Sequence, residues 1–302
     1  MTMPLTGIAT FAGAPLLAQE PRPHFAVFGV PFDAATGYRP GARLGPRAIR
    51  DASARYAMAW GDANPGYWDV EDDRQCLVGC RLADAGDVDP LYTDLEALDH
   101  RAEAVVGSLL RAGVIPIGLG GDHSVTYPIL RAFGALGRTV EILQIDAHLD
   151  FTDEIGGFAR SNSSPIRRAA ELPWIGGVTV IGVRGIRTSR PAWDAAIARG
   201  HRIVLARDGL EDALRALPAG RDLYVTLDID GLDPAVAPGT SSPEPGGLAY
   251  RDVRAILRRA AARNRIVGAD VVEVNPFLDP GSGTALLGAR LAVELMAAAY
   301  LG

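Results

Sequence analysis

The sequence predicts a single α/β domain of three layers, a mostly parallel, doubly wound sheet covered by helices on both faces. Three observations predict it. Short β-branched runs recur along the chain and are apolar nearly end to end, as strands buried on both faces are. Ala- and Arg-rich segments of helical length separate them, which is the pattern of strand–helix–strand units. The chain has 302 residues, 48% of them hydrophobic, enough for one large core, and no linker, internal repeat or composition break divides it over 1–302.

After an N-terminal extension at 1–22, the first strand is expected at 25–30 (FAVFGV). A helix at 45–56 follows, with Pro46 at the favoured first turn. Residues 61–92, rich in Gly, Asp and Pro, read as an irregular excursion. A helix at 94–112, closed by Gly113, leads to the strand at 114–119 (VIPIGL). A helix at 126–136 precedes the strand at 140–146 (VEILQID). Strands at 178–184, 202–206, 223–230 and 266–274 then alternate with helices at 191–200, 208–217 and 250–264, and a helix at 284–300 ends the chain.

Composition narrows the function. Thirty basic residues against 36 acidic ones, without a basic run, argue against a nucleic-acid surface. The start lacks the basic residues and unbroken apolar stretch of a signal peptide, and no run has the roughly 18 apolar residues of a membrane span. A cytoplasmic protein with no membrane partner is the expectation. Cys76 and Cys80, spaced Cys-Leu-Val-Gly-Cys, fit neither a zinc ribbon nor a redox pair and read as reduced structural thiols.

Ligands of open α/β sheets sit beyond the carboxyl ends of the strands, and three of those ends are unusually polar. The strand at 114–119 runs into Gly120-Gly-Asp-His-Ser124, that at 140–146 into Asp146-Ala-His-Leu-Asp150, and that at 223–230 into Asp228-Ile-Asp-Gly-Leu-Asp-Pro234. In extended chain, residues two apart point to one side, so Asp146, His148 and Asp150 converge, as do Asp228 and Asp230. Four carboxylates buried together must protonate or bind cations, and two divalent ions cancel their charge. Imidazole with carboxylates suits manganese, zinc or iron(II), and the carboxylate majority favours manganese.

These segments, with Gly37 to Arg50 (GYRPGARLGPRAIR), Ser242 to Leu248 (SPEPGGL) and Asp270 to Pro276 (DVVEVNP), resemble the ureohydrolase family of arginases, agmatinases and their relatives. The resemblance runs from about Thr10 to the C-terminus. It implies an arginase-like fold and two manganese ions, one among His123, Asp146, Asp150 and Asp228, the other among Asp146, His148, Asp228 and Asp230. It places Glu273 against a substrate guanidinium and leaves Asp233 a structural role in its turn. It further implies a homo-oligomer, trimer or hexamer, acting on a small molecule. Two ions roughly 3.5–4 Å apart lower the pKa of a water between them towards neutrality, and attack on the guanidinium carbon releases urea and an amine.

One position departs from the family. Many relatives carry a further His in the loop before a segment like Ser164-Pro-Ile-Arg-Arg168, whereas this chain has Asn162 and no His between 149 and 200. An amide binds a substrate but shuttles no proton near neutrality, which leaves either proton transfer through the metal-bound water and Asp150 or a substrate whose leaving group needs less help. His24 and His201 precede strands, at the opposite edge of the sheet, and His100 lies in a helix. Thr152, Asp153 and Asn162 are the candidate substrate contacts, and Arg39, Arg43 and Arg47 are candidates for a substrate carboxylate. Agmatine or an ω-guanidino acid, such as 4-guanidinobutyrate or 3-guanidinopropionate, ranks first, and a formimino compound such as formiminoglutamate second. A non-catalytic metal-binding scaffold is the reading from another class.

Overall fold

Eight parallel strands form the sheet in the computed structural model, which describes residues 9–20, 22–60 and 64–301. In chain order the strands are β1 (Phe25–Val30), β2 (Tyr67–Asp69), β3 (Arg74–Cys76), β4 (Leu82–Asp87), β5 (Ile115–Gly120), β6 (Val140–Ile145), β7 (Ile175–Val183), β8 (Arg202–Leu205), β9 (Asp222–Asp228) and β10 (Arg265–Val272). The sheet order is β4-β1-β5-β10-β9-β6-β7-β8, while β2 and β3 pair as a separate antiparallel hairpin. The chain lays down β1, β4 and β5, steps across a gap, builds β6, β7 and β8 outward, and fills the gap with β9 and β10.

The helices are α1 (Gly45–Ser53), α2 (Leu95–Arg111), α3 (Thr126–Arg131), α4 (Pro165–Ala169), α5 (Arg190–Ala198), α6 (Gly209–Ala216), α7 (Tyr250–Arg263) and α8 (Gly283–Leu301). They cover both faces, which is why the strands are apolar on both sides. On β1, Phe25 and Val27 join the core with Ile49 of α1, Leu257 of α7 and Leu291 of α8. Their neighbours Ala26, Phe28 and Val30 join the core with Leu98 of α2, Ile129 of α3 and Ala196 of α5. Alternate residues thus feed opposite layers. By length and composition alone α8 would cross a membrane, but it packs into this core, with Leu291 and Met296 buried.

The seven expected strands and seven expected helices all form. The segment 61–92 needs correction: it is no irregular excursion, since it holds the hairpin and the edge strand β4. Its sequence, Leu-Ala-Asp-Ala-Gly-Asp, hides a strand because Asp84 is buried in it. Arg50 of α1 makes that tolerable, donating from Nε and Nη2 to the two Asp84 oxygens at 2.8 and 3.0 Å. Of the expected extension at 1–22, residues 1–8 and 21 lie outside the described residues; within the rest, Phe11 is buried and its N–H donates to Asp84 Oδ2 at 2.8 Å.

His201 directly precedes β8, as expected. Its ring stands edge-on against the buried Phe151, centroids 4.5 Å apart. Burial pushes its pKa down to about 4. Above the unfolded value of 6.5 the ring is neutral in both states; as pH falls from 6.5 towards about 4 only the unfolded chain takes up the proton, and stability is lost. The loss is on the order of 2 kcal/mol. In denaturant titrations at about pH 7 and about pH 4.5 the wild type should lose on the order of 2 kcal/mol more than His201→Phe between the two; equal losses would contradict this.

Candidate metal centre

The four central strands, β5, β10, β9 and β6, end side by side, and each contributes to one cluster. Beyond β5 the chain turns at Gly121, where a Cβ would collide with the carbonyl oxygen of Phe32. Asp122 then accepts from the N–H of Ser124 at 3.0 Å and of Ala35 at 3.1 Å, fixing the short turn that carries His123. Beyond β9, Gly231 lets the turn bearing Asp228 and Asp230 lie against the backbone of Asp146. The turn is further clamped by Arg184, whose guanidinium donates to the carbonyls of Asp230, Gly231 and Leu232 at 2.7, 3.1 and 3.0 Å and to that of Glu244 at 2.7 Å. Asp233 holds the same region, accepting from the N–H groups of Ala235, Gly246 and Gly247, which fits the structural role expected of it.

Two groups of ligand-type atoms result, with Asp146 in both. In the first, His123 Nδ1 stands 2.7 Å from Asp150 Oδ2, 3.1 Å from Asp146 Oδ2 and 3.3 Å from Asp228 Oδ2, all four residues being buried. In the second, His148 Nδ1 stands 3.4 Å from Asp146 Oδ1 and 3.2 Å from Asp230 Oδ2. Asp228 belongs by distance to the first group, and its other oxygen accepts from the Asp230 N–H at 2.9 Å.

The donors fit divalent cations. His123 Nδ1 is buried and has no hydrogen-bond partner, while Nε2 lies 2.9 Å from the Thr226 hydroxyl. A neutral imidazole with Nε2–H donated to that hydroxyl offers its Nδ1 lone pair to the carboxylate cluster, as a metal-binding His does. Burial, and then the charge of Asp146, raise Asp150 to about 6. Burial, then the neighbouring carboxylates, raise Asp228 and Asp230 as well. Burial acts upward on Asp146 too, but with carboxylates alone around them both imidazoles are held protonated against their burial, and these charged rings hold the Asp146 carboxyl below the usual range; a cation takes the place of those protons. Acids raised by burial and by one another are those that cations relieve.

A cavity of about 280 Å³ opens on these groups and is lined by His148, Asp150, Asp228, Asp230 and Glu273. Glu273 follows β10 with φ of 63°, and Asp150 has φ of 47°; both are in the left-handed region that costs a residue with a Cβ. Glu273 Oε1 accepts from the His123 N–H at 3.0 Å and from Asn162 Nδ2 at 3.3 Å, whereas Oε2 is buried without a partner. Burial, then the charge of Asp122, push Glu273 up to about 8.

Other expected contacts divide. Asn162 and Thr152 line the cavity. Asp153 does not; it pairs with Arg167 and Arg168, because two guanidiniums on α4 offer it more than the pocket does. None of the three arginines offered for a substrate carboxylate is free. Arg39 binds the carbonyls of Thr240 and Ser241, Arg43 pairs with Asp33, and Arg47 pairs with Asp51. Two positioning residues went unnamed in the sequence. Thr226 had a signal, since it stands two residues before Asp228 on one strand; Arg184 had none.

The comparisons agree with this geometry. The chain is 36% identical over 282 residues to a mitochondrial guanidino acid hydrolase of Homo sapiens, covering 90% of this chain and 77% of that protein. It is 35% identical over 283 residues to a mitochondrial agmatinase of Gallus gallus, covering 90% and 79%. The solved structure of proclavaminate amidinohydrolase from Streptomyces clavuligerus superposes with a TM-score of 0.85 at 32% identity, covering 99% of each chain. With the arginase family model matching residues 23–298, and these relatives being hydrolases by name, the chain belongs to the arginase family.

Proposed function

We propose that this protein hydrolyses a C–N bond of a guanidino compound to urea and an amine, using two manganese ions held by His123, Asp146, His148, Asp150, Asp228 and Asp230. The observation that carries the reading is the meeting of two His/Asp groups with the Glu273 carboxylate in one cavity. When bound, the two cations supply the Lewis acidity that makes water a nucleophile near neutral pH. Manganese suits a shell of four carboxylates and two imidazoles.

The residues of the chain supply the rest. Glu273 orients the guanidinium through charge-assisted hydrogen bonds, its free Oε2 facing no protein donor. Asn162 holds Glu273 by the 3.3 Å contact to Oε1, a role that needs an amide and no ionisable proton. Asp150, which lines the cavity, takes up and returns the proton that the departing nitrogen requires. The names of the human and chicken relatives support guanidino compounds over formimino ones. The test is reconstitution with manganese and assay of urea and formamide release over a panel of guanidino and formimino compounds. Urea from a guanidino compound is expected. Formamide alone would transfer the reading to formimino substrates, and no turnover at all would leave a metal-binding scaffold.

A further inference from the structure

The cavity is electrically polar along its depth. Its inner end is formed by the buried carboxylates of Asp150, Asp228, Asp230 and Glu273. Its wall also includes one cation, the exposed Arg187. Among the described residues Arg187 pairs with no carboxylate, and its one hydrogen bond runs from Nη1 to Ser242 Oγ at 3.4 Å, a long contact to a residue of the same wall. The other arginines near the site are engaged. Arg167 and Arg168 hold Asp153, Arg184 holds six backbone carbonyls, those of Gly182, Asp230, Gly231, Leu232, Glu244 and Pro245, and Arg39 holds Thr240 and Ser241. Beside Arg187, Thr188 and Ser189 line the same wall where α5 begins, so a hydroxyl and the positive end of a helix reinforce one sign of charge.

We infer that Arg187 recognises the tail of the substrate, and that this tail ends in a carboxylate: the substrate is an ω-guanidino acid. The inference rests on the hydrolase reading above and deepens it. A guanidinium drawn to Glu273 leaves its other end to extend towards the outer wall. There a carboxylate meets a planar guanidinium fork that no carboxylate of the described residues pairs with, the geometry in which paired N–H donors bind two oxygens. An ammonium tail, as in agmatine, meets a like charge at the same place. Arg187 is therefore a substrate-binding residue that sets specificity and takes no part in bond cleavage.

The experiment compares kcat/KM for urea release from 4-guanidinobutyrate and from agmatine, with manganese-loaded wild type, Arg187→Lys, Arg187→Ala and Arg187→Glu. The wild type should prefer the acid. Loss of one charge-assisted contact should lower kcat/KM for the acid by about 10- to 100-fold in Arg187→Ala, chiefly through KM. Arg187→Lys should keep the preference for the acid, and Arg187→Glu should reverse it. Manganese binding measured by calorimetry should be equal in all four proteins, showing the metal centre intact. A wild type that prefers agmatine, or an acid-to-amine ratio unmoved in Arg187→Ala, would overturn the inference and leave the hydrolase reading standing. Urea from neither compound with the wild type would overturn both.

Discussion

Asp146→Asn is expected to abolish turnover, by about 1,000-fold or more, because one substitution removes a ligand from both cation groups. Asp146 alone belongs to both, within 3.1 Å of His123 Nδ1 and 3.4 Å of His148 Nδ1. Asn keeps the shape, can still accept from the His148 N–H that stands 2.6 Å from Oδ1, and can donate its NH2 to the unpartnered Oε1 of a flipped Gln144 amide, so the fold should survive and circular dichroism should match the wild type. The loss should appear directly as binding. Calorimetry with manganese should show two ions per wild-type chain and greatly weakened uptake in the variant. Saturating manganese should raise the thermal midpoint of the wild type by roughly 10 °C, the shift expected when tight ligands bind only the folded state of a domain this large. The variant should gain a small fraction of that. Two ions bound at wild-type affinity would show the shared-ligand assignment to be wrong.

Glu273→Gln should lower kcat/KM for guanidino substrates by roughly 100-fold while leaving manganese uptake intact. Glutamine can retain the contact to the His123 N–H and fit the same volume, but it carries no charge to set against a guanidinium. In the protein alone burial and Asp122 push the carboxyl up to about 8. Nearby cations and an arriving guanidinium both act in the opposite direction, favouring the ionised form. The loss should therefore fall mainly on the charged substrate, chiefly in KM with kcat little changed, since the contact is present both before and during bond breaking. An unchanged kcat/KM would remove Glu273 from the substrate site.

How much of this was legible in the sequence depends on whether a residue sits inside a pattern. His123, the aspartates and Glu273 stand where long apolar strands end abruptly in polar chain, which made them legible; the expected alternation of extended chain is not what gathers them, since β6 stops at Ile145, Asp230 sits on a tight turn after β9, and Asp150 and Glu273 have positive φ. The central strands were readable for the same reason, being apolar on both faces. β4 was not, since Asp84, Gly86 and Asp87 mask it, and only the tertiary partner Arg50 accounts for a buried Asp there. Arginines were least legible. Arg39, Arg43 and Arg47 looked available in sequence and are paired in space, while Arg184 and Arg187, three residues apart after β7, took opposite roles that no local pattern distinguishes.

The strand order has a consequence for assembly in time. β5 and β9 share no hydrogen bonds with each other; β10, the last strand of the chain, is what joins the half-sheet β4-β1-β5 to the half-sheet β9-β6-β7-β8. His123 comes from one half and the aspartates from the other, so the cluster straddles a seam that stays open until residues 265–272 dock. On a growing chain every residue of the two His/Asp groups is synthesised before the strand that brings them together. Assembly of the cluster is then a late event of folding, coupled to the least local strand pairing, and a chain ended before β10 would carry all six residues without the strand that joins the two halves.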